Sequence, residues 1–196
     1  MKPLILIAAL LLASCATPQT PQAPLAAEYR GDGFVVATPK AEGWRAGSTT
    51  PEAVVFHKRF STGSGNDAAL VSLGVLALRD AVPAPDALVA TTQRLLQARL
   101  SDIRFELVEL KVTADTLGDA QCARYDALQV DRYDADSTEL RREYTHQGYF
   151  CRHPTLPRWF QTYATTVYPR IQGPPLTSAS RTEIAAFFGG VHWSAR

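Results

Sequence analysis

CARYDALQVDRYDADSTELRREYTHQGYFC, residues 122–151, decides the fold. Cys122 to Tyr133 and Glu139 to Cys151 read as two successive strands. Asp134 to Thr138 between them is a turn-like break. In an antiparallel hairpin, opposed residues have a constant index sum. With Asp136 and Ser137 at the tip, that sum sets Cys122 against Cys151, Arg124 against Tyr149 and Asp131 against Arg142. Directly opposed residues in a non-hydrogen-bonded pair have Cα atoms about 4.5 Å apart, within reach of a disulfide. The stretch therefore predicts a hairpin with its strands bridged by Cys122 and Cys151.

Strand signals continue on both sides. Arg104 to Val112 alternates, but its apolar phase switches between Leu107 and Val108, which predicts a bulge. Arg158 to Tyr168 puts Trp159, Tyr163 and Val167 on one face and Phe160, Ala164 and Tyr168 on the other. Two apolar faces mean that both sides of the sheet are covered. Upstream, Gly33 to Ala37 reads as a strand stopped by Pro39. Residues 40–51 read as an irregular connection, with Trp44 at the core edge. Ala53 to Phe60 and Ala69 to Leu78 read as strands joined by the loop Ser61 to Asp67, and the second of them as central.

Two helices complete the pattern. Pro83 to Asp86 opens the first, whose stripe is Leu88, Thr92, Leu95 and Leu96, and Ser101-Asp102 ends it. Ser180 to Glu183 has a capping-box pattern before Ile184, Phe187 and Phe188, and Gly189-Gly190 stops that helix. Val191 to Trp193 is expected to fold back onto the sheet. The order predicts an α+β fold, an antiparallel sheet of about six or seven strands packed with two main helices. In element order the chain resembles the Mog1/PsbP-like sandwich, which implies a sheet between helices. That family hands over no catalytic residue.

The N-terminus sets the expected compartment. Lys2 precedes an uncharged apolar run, Pro3 to Leu12, too short to cross a bilayer and suited to a secretory signal. Leu12-Ala13-Ser14-Cys15 resembles the lipobox of bacterial lipoproteins, and the chain is similar to small proteobacterial envelope lipoproteins. The resemblance implies a cleaved signal over residues 1–14 and acyl chains on Cys15. The Ala16 that follows implies sorting to the outer membrane, with the domain facing the periplasm. Residues 15–28 then form a lipidated Pro/Gln-rich tether, and residues 29–196 one globular domain. With Cys15 lipidated, Cys122 and Cys151 are an even pair in an oxidising compartment, which agrees with the bridge.

Charge narrows the partners. Removing residues 1–14 takes away Lys2 and no acidic residue, so the 20 basic and 19 acidic side chains come into balance. Neither nucleic acid nor an anionic membrane surface suits a neutral chain. The expected membrane contact is the lipid on Cys15, with another envelope protein as the partner.

No motif carries an evident reaction. His57, His146, His153 and His192 lack metal-site spacing, though His57 and His146 lie in strands that could bring them together. Gly63-Ser64-Gly65 lacks the spacing and strand–helix context of a nucleophile elbow. Asp131, Asp134, Asp136 and Glu139 lack the glycine of an EF-hand loop. Arg141, Arg142, Arg152 and Arg158 offer an anion patch, with an Asp131–Arg142 cross-strand pair as the simpler reading. Accordingly no catalytic residue, metal or cofactor is assigned. The expected function is a non-enzymatic binding or assembly-accessory domain. The alternatives are a periplasmic hydrolase with a loop-assembled site and an apolar-ligand carrier.

Overall fold

The computed structural model describes residues 24–61, 68–132, 142–169 and 178–195. Among these residues, ten strands and two α-helices form an α+β fold. In chain order the strands are β1 (Glu28–Arg30), β2 (Phe34–Ala37), β3 (Arg45–Thr50), β4 (Ala53–Ser61) and β5 (Ala68–Leu78). Then come β6 (Phe105–Leu117), β7 (Ala120–Asp131), β8 (Arg142–Arg152), β9 (Trp159–Pro169) and β10 (Val191–Trp193). Helix α1 (Leu88–Leu100) follows a single 3-10 turn at Pro85–Ala87, and α2 (Ser178–Gly189) precedes β10. The main sheet has seven strands in the order β3-β4-β5-β9-β8-β7-β6, every neighbouring pair antiparallel. A second sheet, β1-β2-β10, has three.

The hairpin register is the one that the index sum predicts: Cys122 opposes Cys151 and Arg124 opposes Tyr149. The two cysteines form a disulfide with Cα atoms 4.1 Å apart. The turn Asp134 to Thr138 lies outside the described residues. Asp131 is fully buried, and its Oδ2 accepts from Nε and a terminal nitrogen of Arg104, at 2.9 and 2.6 Å. Arg104, at the entrance to β6, is thus a partner that the expected Asp131–Arg142 pair omitted. The bulge falls where the apolar phase switches, between Leu107 and Glu109.

Alternation divides the core into two layers. On one face Val71, Leu73, Cys122, Cys151, Phe160 and Ala164 meet Ile184, Phe187 and Phe188 of α2 and Phe34, Val36 and Val191 of the small sheet. On the other, Ala123, Tyr125, Phe150 and Trp159 meet Leu88 and Leu96 of α1. The adjacent residues Trp159 and Phe160 point into different layers, as the two apolar faces of their strand require.

Three expectations need correction. Residues 45–50 are strand β3 and not irregular connection; among the described residues the strand pairs only with β4, and it shifts register between Ala46 and Ser48. The packed chain also begins before Tyr29. Leu25 rests on the core, the Thr38 side chain donates to the Ala26 carbonyl, and Glu28 pairs with Ala37. Val191 to Trp193 does fold back onto the main sheet, with Val191 in its core layer and Trp193 Nε1 donating to the Leu117 carbonyl at 2.9 Å, and it pairs as a strand with β2 of the small sheet. Ser180 is not a cap: it is buried inside α2. Glu183 turns instead to Lys58 Nζ, at 2.9 and 3.1 Å, and to Trp44 Nε1, at 2.8 Å, with Trp44 6% exposed at the core edge.

Candidate polar cleft beneath the first helix

Strand registers line up one rung of side chains across four strands. His57 of β4 opposes Ser72 of β5, Ser72 opposes Thr165 of β9, and Thr165 opposes His146 of β8. Because antiparallel neighbours on one rung share a face, all four point to the α1 side. His57 Nδ1 lies 2.8 Å from Ser72 Oγ, and His146 Nδ1 lies 3.0 Å from Thr165 Oγ1. The two histidines occupy the ends of the rung with β5 and β9 between them, roughly 14 Å apart at ordinary strand spacing. They do not meet at a metal. No group of three or more His, Cys, Asp or Glu side chains is arranged to hold one among the described residues.

The His146 end opens on a cleft of about 200 Å³. Leu96 and Leu100 of α1 form its roof, and Leu76, Tyr125, Gln161, Tyr163, Thr165 and His146 its floor. Tyr163 folds over Gly74, where a Cβ would come within 2.4 Å of the ring. That glycine is what lets the phenol lie down on the sheet.

Hydrogen bonds fix the polar floor. Gln129 donates through Nε2 to the Leu100 carbonyl at 2.8 Å, so its Oε1 is the atom 3.0 Å from His146 Nε2. An amide oxygen only accepts, so Nε2 carries the imidazole proton and Nδ1 receives the Thr165 hydroxyl. Gln161 Nε2 donates to the buried Tyr125 hydroxyl at 2.9 Å. Burial pushes the His146 pKa down to about 4 and raises those of Tyr125 and Tyr163. The lining groups are thus neutral at pH 7 and held in place under an apolar roof, and the Arg99 guanidinium of α1 donates to Gln161 Oε1 at 3.4 Å.

The His146 shift has a measurable consequence. The unfolded imidazole titrates near 6.5, so as the pH falls below that value the unfolded chain takes up a proton that the folded chain refuses. The stabilisation is complete above about pH 6.5 and is lost as the pH falls towards 4, by roughly 3 kcal/mol in all. Urea unfolding from pH 7.5 to 4 should show this fall, and His146→Gln should flatten it. Identical pH slopes for the two proteins would reject the shift.

The other candidates are dispersed. His153 is buried between the two sheets, far along β8 from the cleft, and His192 is exposed on β10. Arg158 pairs with Asp32, and Arg152 buries an Nε with no hydrogen-bond partner. Arg142 is exposed at the start of β8. Cys15, Gly63-Ser64-Gly65, Asp134, Asp136, Glu139 and Arg141 lie outside the described residues. Sequence reasoning missed Gln129, Gln161 and Thr165 altogether. The signal was present only as polar residues at inward positions of apolar strands.

No family model and no curated protein matches this chain. Among the solved structures that it loosely resembles are two of known name. One is LpqN, involved in cell envelope biogenesis of Mycobacterium tuberculosis, with 13% identity, TM-score 0.46 and coverage of 83% of this chain and 85% of that one. The other is the Saccharomyces cerevisiae Ran-binding protein Mog1p, with 7% identity, TM-score 0.38 and coverage of 82% and 89%. Among the described residues no helix is long and apolar enough to cross a membrane.

Proposed function

We propose that the chain is a lipid-anchored envelope protein whose domain acts by binding, as a non-enzymatic partner or assembly accessory. The anchor is the lipid on Cys15, the membrane the outer one, and the domain faces the periplasm. The observation that carries this reading is the Cys122–Cys151 bridge. It commits two of the three cysteines to each other. The remaining one, Cys15, stands at the end of Leu12-Ala13-Ser14-Cys15, where a lipoprotein is acylated. A structural disulfide also suits an oxidising compartment.

The cleft beneath α1 supports binding over catalysis. Thr165, His146 and Gln129 do form a hydroxyl–imidazole–amide row, and that row is what favours the hydrolase alternative. Two features oppose it. Among the described residues no carboxylate backs the imidazole, whose pKa of about 4 makes it a weak base at neutral pH. Thr165 also lies inside β9, paired on both sides, so its neighbouring N–H groups serve the sheet and not an oxyanion. An apolar carrier needs a larger and drier cavity than this one.

Intact-mass analysis of the membrane-extracted protein tests the anchor. The expected product begins at Cys15 and carries acyl chains, whereas Cys15→Ala should accumulate as the unprocessed precursor. A mature chain with an unmodified Cys15 thiol would sink the proposal. Labelling of Thr165 by a fluorophosphonate would decide for the hydrolase.

A further inference from the structure

Strand β6 is the far edge of the main sheet, 13 residues long and, among the described residues, hydrogen-bonded as a strand on one side only, to β7. Edge strands are usually blunted by proline, bulges or repeated lysines. The bulge at Leu107/Glu109 interrupts the first part of β6. From Leu110 to Leu117 the strand is regular, has no proline and contains one lysine, Lys111.

The direction of its peptide groups follows from its neighbours. Cys122 and Cys151, with Cα atoms 4.1 Å apart, form a non-hydrogen-bonded pair, so the peptide groups of Cys122 point away from β8 and towards β6. The Arg132 N–H to Arg104 carbonyl bond, 2.8 Å, gives even-numbered residues of β7 the same direction. Asp115 opposes Cys122. Odd-numbered residues of β6 after the bulge therefore bond β7. Leu110, Val112, Ala114 and Thr116 turn their N–H and C=O groups outward. Lys111, Thr113 and Asp115 are exposed on one face. No hydrogen bond or ion pair engages Lys111 among the described residues. Asp115 Oδ1 accepts from the Thr116 N–H at 2.8 Å, which leaves its second oxygen open.

We propose that β6 pairs antiparallel with β6 of a second copy about a two-fold axis at Thr113, joining two seven-stranded sheets into one. Matching outward peptide groups requires an axis on a residue, and charge selects which one. An axis at Lys111 opposes lysine to lysine, and one at Asp115 opposes aspartate to aspartate. An axis at Val112 sets Glu109 against Asp115. An axis at Ala114 leaves both charges facing uncharged residues. The axis at Thr113 sets Lys111 against Asp115 of the other copy, twice, and lets Val112 and Ala114 exchange ladder bonds. A two-fold interface repeats each contact, so a single favourable pair counts double.

The full-length chain in detergent, with its native bridge intact, provides the test. Thr113→Cys places two thiols in a non-hydrogen-bonded pair about 4.5 Å apart between Cα atoms, and mild oxidation should give a covalent dimer. Thr116→Cys, which opposes Leu110, should stay monomeric. In sedimentation equilibrium, Lys111→Glu and Asp115→Lys should each raise the dimer Kd by about tenfold, and the double exchange should restore it. Three results would each overturn the proposal: a monomeric wild-type chain, Thr113→Cys that stays uncrosslinked with an unchanged melting temperature, or cross-linking of Thr116→Cys as fast as Thr113→Cys.

Discussion

Replacing Cys122 and Cys151 together by alanine should cost the fold roughly 3–4 kcal/mol, the loop-closure entropy of a bridge spanning 29 residues. Both half-cystines are buried, 3% and 0% exposed, so the deleted sulfurs also leave a small void beside Phe160. For a domain of this size the thermal midpoint should fall by about 10 °C. Reductant should lower the urea midpoint of the wild-type chain similarly and leave the alanine double variant unmoved. The comparison separates the bridge from the packing of the side chains. A reduced wild-type chain as stable as the oxidised one would mean that the bond adds nothing to a register already fixed by the ladder. Serine in place of alanine should be worse, because two hydroxyls would then be buried in an apolar layer where the Ala120 carbonyl, 3.5 Å from Cys122 Sγ, is an acceptor for the first of them.

The bridge was legible in the sequence because a hairpin is a local object. Its register follows from the tip and the index sum, and Cys122 and Cys151 needed no information from elsewhere. The bulge in β6 was legible for a similar reason: one strand lost its alternation between Leu107 and Val108, and only an inserted residue restores it. What stayed hidden was set by distant parts of the chain. Strand β3 reads as Arg-Ala-Gly-Ser-Thr-Thr, with no apolar alternation. It is a strand because β4 offers it a ladder, and because Gly47 leaves room for the His57 ring, which a Cβ would approach to 2.3 Å. The capping-box pattern failed because Glu183 found stronger partners in Lys58 and Trp44, 125 and 139 residues away. The cleft required three non-local registers at once. Neither His57 nor His146 announces that Ser72 and Thr165 lie between them, and Gln129 comes into reach only once β7 joins β8.

His153→Ala should cost more than any other single histidine replacement, about 3–5 kcal/mol, although this residue reads from sequence as an ordinary loop histidine before Pro154. The ring is 7% exposed and spends both nitrogens on the backbone. Nδ1 accepts from the N–H groups of Thr155 and Leu156, at 3.1 and 2.9 Å, which closes the β8–β9 turn. Nε2 faces the carbonyls of Gly33 and Ser194, at 3.0 and 2.9 Å, one at the entrance to β2 and the other after β10. Two N–H groups on one side and two carbonyls on the other fix the tautomer with the proton on Nε2. One side chain thus fastens the main sheet to the small one, with Phe160 and Trp193 packed at its edges. Removing it strands backbone groups in a site nearly closed to water, each at a cost of about 1–3 kcal/mol before relaxation. His153→Phe fills the volume without the hydrogen bonds. If polarity is what matters, phenylalanine should recover less than half of the loss measured for alanine by urea unfolding. Amide exchange should locate the damage. Protection should drop first at Leu156 and at Ser194, whose N–H bonds the Gly33 carbonyl at 3.1 Å, while the Cys122–Cys151 hairpin keeps its own. Equal stability of His153→Phe and the wild type would show that packing alone holds the two sheets together.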